Sequence, residues 1–315
     1  MKIDSNGNLI LGTTVILITT LLLMAIFVFT AINYIENENI DSSENDNFKY
    51  VIDDYTRNLE VLGRSSINDA TEWVYHTYKL SDSRGEIKKN LEKKLDKENE
   101  KFEEKYDMKI SSEVLSVENT DSPWKILFKV KLNIEKNNNR YSKIVEKNAS
   151  IEGLKDPLPV AKLSVASGIY KQGDKLNYKN ALTRYLKLRN LESPFSYAFA
   201  TTPQFIKKCP YDPYIHHGDP GVLKDCLKNG YFHESADGSC YLCRLEGKAV
   251  CPHYGMEVFI QTHTPLTNGS VSCSDHVVFH DHYNGEKLNK YDFDSLILDS
   301  SHRKKYGLGG EDDGQ

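Results

Sequence analysis

All six cysteines of the chain (Cys209, Cys226, Cys240, Cys243, Cys251 and Cys273) fall in its second half, together with nine of the ten histidines. Thiols and imidazoles concentrated in this way do one of three things: cross-link the chain as disulfides, hold a metal, or react. Six cysteines are enough for three disulfides, and sequence cannot choose among the 15 pairings such a set allows. Cys240-Tyr241-Leu242-Cys243 is also a two-residue knuckle, with Cys251-Pro252-His253 following at a reachable distance. A zinc ion takes four such ligands in tetrahedral array. The sequence therefore carries a disulfide framework over all six cysteines, with a zinc site at Cys240, Cys243, Cys251 and His253 as the alternative and no other cofactor implied. No βαβ pattern surrounds the knuckle, which sets aside a thioredoxin-like redox role.

A second group is Cys273-Ser274-Asp275-His276-Val277-Val278-Phe279-His280-Asp281-His282. Read as a strand, it places His276, His280 and His282 on one face. Imidazoles on alternate residues are able to share a metal, or the histidines simply face water. No carboxylate partner lies at a diagnostic spacing. There is also no phosphate loop, no Gly-x-Ser-x-Gly elbow and no helical His-Glu-x-x-His. The chain reads as noncatalytic, with a metal-dependent enzyme built on the histidines as the alternative.

Several elements must position these residues. From Leu9 to Ile32 runs LILGTTVILITTLLLMAIFVFTAI, without a charge or a proline. A helix needs about 20 apolar residues to cross a bilayer, so a transmembrane helix is expected over 9–33. The apolar stretch exceeds the roughly 7–15 residues of a cleaved secretory signal. Lys2 precedes the span, whereas Glu36, Glu38, Asp41, Glu44 and Asp46 follow it. Cytoplasmic flanks carry the excess of Lys and Arg. That places the N-terminus inside, the body outside, and the protein in the cell membrane as a single-pass chain in contact with lipid. The sequons at Asn148 and Asn268 suit an external body. A net charge of −5 gives no basic footprint for nucleic acid.

Beyond the span, Phe48, Val51, Ile52, Tyr55, Leu59 and Leu62 follow helical spacing from near Asp46, resuming with Ile67, Ala70, Trp73 and Val74. Gly63-Arg64-Ser65-Ser66 between them predicts a kink. Ser83-Arg84-Gly85-Glu86 reads as a capping box opening a second helix striped by Ile87, Leu91, Leu95, Phe102 and Tyr106. The period then changes to two. Trp124, Ile126, Phe128, Val130, Leu132 and Ile134 alternate with polar residues, a turn follows at 137–139, Tyr141 to Ile151 returns, and Met108 to Val117 supplies a third strand. The expected class is α+β: a transmembrane helix, amphipathic helices, an antiparallel meander, then a loop-rich Cys/His-rich mixed region. The segments are a leader over 1–8, the span over 9–33, a helix-plus-sheet unit over 44–153, the Cys/His-rich region over 160–303 and a disordered tail over 304–315.

The opening Met1-Lys2-Ile3-Asp4-Ser5-Asn6-Gly7-Asn8, ahead of an apolar helix, more helix and an antiparallel sheet, resembles archaeal type IV pilin-like surface proteins. The segments IEGLKDPLP and PHYGMEVFI resemble anchored proteins of methanogens. The resemblance implies a polar leader cut after Gly7 and a pilin-like role in envelope structure or interaction, with a protein or envelope partner or self-assembly. The fifth position after that cut, where pilins carry a glutamate used in assembly, is Gly12.

Overall fold

The periodicity of the first half is realised almost as written. The structure is a computed structural model describing residues 15, 17–28, 42–137, 139–163, 169–190, 197–263, 270–280, 286–291, 294–298 and 300–308. Its contacts divide the chain into residues 1–53 with 137–139, and 54–136 with 140–315. In the first unit, residues 17–28 are helical, and Leu17, Leu21, Leu23, Met24 and Phe27 are all more than half exposed. Among the described residues, no helix is long and apolar enough to cross a membrane. The rest of the Leu9–Ile32 run, Gly7 and Gly12 lie outside the described residues.

Helix α1 (Ser42–Thr77) buries Phe48, Val51, Ile52, Tyr55, Leu59, Ile67, Ala70 and Val74. It continues as helix through Gly63-Arg64-Ser65-Ser66. Gly63 serves close approach, since a Cβ there would lie 2.7 Å from the ring of the buried Phe128. Trp73, expected in the stripe, is 53% exposed. Helix α2 (Ser83–Tyr106) is capped not by Ser83 but by Asp82, whose carboxylate accepts from the Gly85 amide at 2.9 Å. The Ser83 hydroxyl instead donates to Glu246 at 2.8 Å, a partner too distant in sequence to anticipate.

Strands β1 (Lys109–Asn119), β2 (Lys125–Lys136) and β3 (Asn139–Ser150) form a sheet in that order, β1 and β2 antiparallel. The expected alternation places Ile126, Phe128, Val130, Leu132 and Ile134 in the core. Asn99 of α2 joins three elements: it accepts from Tyr55 at 3.1 Å and donates to Ser112 at 2.9 Å.

The second half is more regular than the loop-rich region expected. It begins with α3 (Leu158–Leu163), β4 (Tyr170–Gln172), β5 (Lys175–Asn177), α4 (Ala181–Leu188) and β6 (Thr201–Pro203). A 3₁₀ turn (Tyr214–Gly218), α5 (Pro220–Asn229), β7 (Phe232–Ser235), α6 (Tyr241–Leu245) and β8 (Gly255–Gln261) follow. Then come β9 (Ser270–Ser274), α7 (Asp275–Phe279), β10 (Glu286–Tyr291), β11 (Asp294–Leu298) and α8 (Ser300–Lys305). The strands build an eight-stranded sheet in the order β10-β11-β9-β8-β6-β5-β4, with β7 also on β8. Its pairings are antiparallel except β11 with β9.

Side chains alternate across this sheet. Ile260, Cys273 and Ile297 join a cluster with Leu158 of α3, Tyr178 after β5, Leu182 of α4 and Phe279 of α7. Phe259, Leu296 and Leu298 join Leu223, Leu227, Tyr306 and Leu308 from α5 and the α8 end. The sheet is therefore covered on both faces. All seven residues of β8 are buried, so its pattern lacks the polar alternation that marks a strand in sequence. Hydrogen bonds also cross the boundary near 153–160. Leu80 N donates to Leu245 O at 3.1 Å, the Trp124 indole to Glu234 at 2.6 Å, and the Thr71 and Tyr241 hydroxyls meet at 2.6 Å. The expected disordered tail begins too early: Tyr306 and Leu308 are core residues, and 309–315 lie outside the described residues.

Candidate metal centres

Cys240 lies at the N-terminus of α6 and Cys243 one turn later, so a single helical turn points two sulfurs the same way. Cys251 and His253 return on the loop before β8. The His253 Nδ1 lies 3.7 Å from Cys240 Sγ and 3.6 Å from Cys243 Sγ, and the four ligand atoms lie within 4.8 Å of one another. Zinc bonds of about 2.3 Å to sulfur and about 2.0 Å to nitrogen separate tetrahedral ligands by roughly 3.3–3.8 Å. The Cys251 sulfur also accepts from the Cys240 amide at 3.3 Å, the outer hydrogen bond that steadies a ligating thiolate. The chain thus brings together the Cys240, Cys243, Cys251 and His253 set expected as the zinc alternative. Hydrogen bonds from the Cys240 and Cys243 thiols draw the Cys251 thiol well down, while Cys243 is pushed up.

A second quartet escaped the sequence reading. Cys209, His217 of the 3₁₀ turn, Cys226 of α5 and His233 of β7 converge within 4.8 Å, all buried. Their edges are 4.0 Å between sulfurs, 3.1 Å between the two Nε2 atoms, and 3.6 and 3.1 Å from sulfur to nitrogen. The His217 Nδ1 donates to the Tyr214 carbonyl at 2.7 Å. A carbonyl only accepts, so Nδ1 carries the proton and Nε2 is the atom turned to the centre. Cys209 is lowered to about 3, chiefly by the Cys226 thiol and then by the two imidazoles, while Cys226 is raised. Burial pushes the His233 imidazolium down, so its neutral, ligating form is favoured. The spacing Cys-x7-His-x8-Cys-x6-His matches no short knuckle, but the placement of all four residues within one stretch of chain was a usable signal.

Cys209, Cys226, Cys240, Cys243, Cys251 and Cys273, expected as a disulfide framework, stand in the structure as thiols. All six are free. Five of them share space with histidines, and Cys273 lies in the apolar cluster beneath the sheet, acting as a small hydrophobe.

The histidine strand is also corrected. Asp275–Phe279 is a short helix that follows Ser274, so His276 and His280 do not share a strand face. His280 is half-buried, and His282 lies outside the described residues. His276 instead joins Glu257 of β8 and His302 of α8, neither of which the sequence had singled out. The Glu257 Oε2 lies 3.0 Å from His276 Nδ1 and 2.8 Å from His302 Nε2. Burial opposes the Glu257 charge, but Lys305 and the two imidazoles outweigh it and hold the carboxyl well below its usual range. Of the sequons, Asn148 is exposed on β3 and Asn268 lies outside the described residues.

One buried ion group ties the knuckle to this cluster. Arg244, next to Cys243, donates to Asp156 at 2.7 and 2.6 Å and to Asp275 at 2.7 Å, with all three side chains at most 2% exposed. Asp275 in turn accepts from the amides of Val258 and His276. Burial works against the Arg244 cation, and the two carboxylates reverse that and keep it charged.

Comparison with family models, with curated proteins and with solved structures finds no match to this chain.

Proposed function

We propose that the protein is a zinc-stabilised binding module displayed on a membrane anchor, with a pilin-like helix-and-sheet unit as its stalk. The observation that carries this reading is the pair of Cys/His quartets with edges near those of tetrahedral zinc. Four protein ligands close a zinc ion off from chemistry and give it a structural role. The anchor rests on the uncharged Leu9–Ile32 run, supported by the exposed apolar side chains of helical residues 17–28. The acidic flank after the run favours an external body. Its task is then recognition or envelope structure rather than turnover at the quartets.

The test is metal and thiol counting on full-length protein purified in detergent without reductant. Two thiolate-bound zinc equivalents per chain are expected, with the five quartet thiols reacting only after chelation. Oxidised cysteine pairs, or five thiols that react freely with no zinc present, would defeat the reading.

A further inference from the structure

Two of the three clusters supply four ligands each; the third supplies three and adjoins a cavity. We propose that Glu257, His276 and His302 hold a divalent first-row transition metal with an exchangeable coordination position facing that cavity. The proposal gives the binding module a ligand site, and its metal is counted separately from the two zinc ions of the quartets.

The argument begins with the lone pairs of one carboxylate. Lys305 approaches Glu257 Oε1 at 2.6 Å, and the Tyr306 hydroxyl donates to the same oxygen. Oε2 receives the Ser235 hydroxyl at 3.1 Å, and His276 Nδ1 and His302 Nε2 approach it to 3.0 and 2.8 Å. Five groups thus converge on a carboxylate whose two oxygens offer about four lone-pair sites. The crowding ends if the imidazoles present lone pairs instead of N–H groups, with a cation between them and Oε2. Lys305 and Tyr306 then become the outer partners that orient a ligating carboxylate, leaving Oε2 as its single metal-binding oxygen.

Two histidines and one carboxylate are the ligand set of metal sites that keep positions open. The ring centroids of His276 and His302 lie 4.8 Å apart, so both rings sit on one side of the ion. The other side has somewhere to lead. His302, Lys305, Ser235 and Asp237 line a surface cavity of about 450 Å³, room for a small molecule. The ligand class is water or an oxygen donor such as a carboxylate or hydroxamate, with the Lys305 ammonium beside it.

Full-length protein in detergent, dialysed against a weak chelator that leaves the quartets loaded, is titrated with Co²⁺. One Co²⁺ per chain is expected, with weak ligand-field bands and no thiolate-to-cobalt charge-transfer band, because its ligands are nitrogen and oxygen. Acetohydroxamate should shift those bands. His302→Gln and Glu257→Gln should each lose this equivalent while retaining two zinc. The site is refuted if no Co²⁺ binds, if both variants retain it, or if the band is thiolate in origin. Indifference to acetohydroxamate refutes the open position. A variant that also loses zinc has misfolded, and the wild-type titration then decides. Absence of thiolate-bound zinc in the same sample would overturn the quartets without touching this site.

Discussion

Arg244 shows how much depends on a single side chain. Its guanidinium is fully buried between two carboxylates, and removing one partner of such a group leaves uncompensated charge that costs about 3–5 kcal/mol. Arg244→Met is expected to lower stability by about that much in denaturant titration; a loss under about 1 kcal/mol would mean that water reaches the two aspartates. Cys243→Ser should remove one zinc equivalent, whereas Cys273→Ser should leave the metal count unchanged, because Cys273 lies outside both quartets. Metal analysis of the two variants checks this, and equal losses would contradict the assignment. The knuckle was legible because its four ligands lie within one short stretch. The other quartet is drawn from a loop, a turn, a helix and a strand, and Glu257 meets His302 only through the packing of α8 on the sheet. No spacing encodes that last meeting, whereas the quartet at least falls within residues 209–233.

Among elements, those with a clean period were readable and those with two buried faces were not. Strand β2 announced itself by alternation, and α1 by its stripe. Strand β8 has no wet face, and β4, β5 and β6 have three residues each, too few to show a period. Gly63 was seen, but the contact it serves was not. Helix α1 needs it because the Phe128 ring occupies the space of a side chain. Gly63→Val should therefore cost at least about 1–3 kcal/mol through overpacking, read from the unfolding midpoint, despite valine's tolerable place in a helix. An unchanged midpoint would show that the sheet yields. A second glycine, Gly307, has φ +65°, and a Cβ there would strike the Ile215 carbonyl. It lets the end of α8 close on the turn carrying His217.

For the whole molecule, the corner between α1 and α2 is joined to the knuckle helix by Tyr241, Glu246 and the Leu80 amide. Zinc loss should therefore reach beyond its ligands. Chelation under anaerobic conditions is expected to raise hydrogen exchange at residues 78–86 as well as across α6, while reductant alone changes neither; protection of 78–86 in the chelated protein would uncouple the two halves. Topology has its own test. Protease added to intact cells should digest the body and spare the Leu9–Ile32 segment, and digestion only after lysis would invert the orientation. The order of synthesis matters too. Tyr306 lies over His217 and His233, with ring centroids 5.3 and 5.1 Å away, and also donates to Glu257. The helix-and-sheet segment, by contrast, completes its Tyr55–Asn99–Ser112 network by residue 150. Its contacts with Leu245, Glu234 and Tyr241, like the cluster around Tyr306, are complete only when the second half has been made. Metal bound as proposed would therefore enter a site whose last wall is added near the end of synthesis.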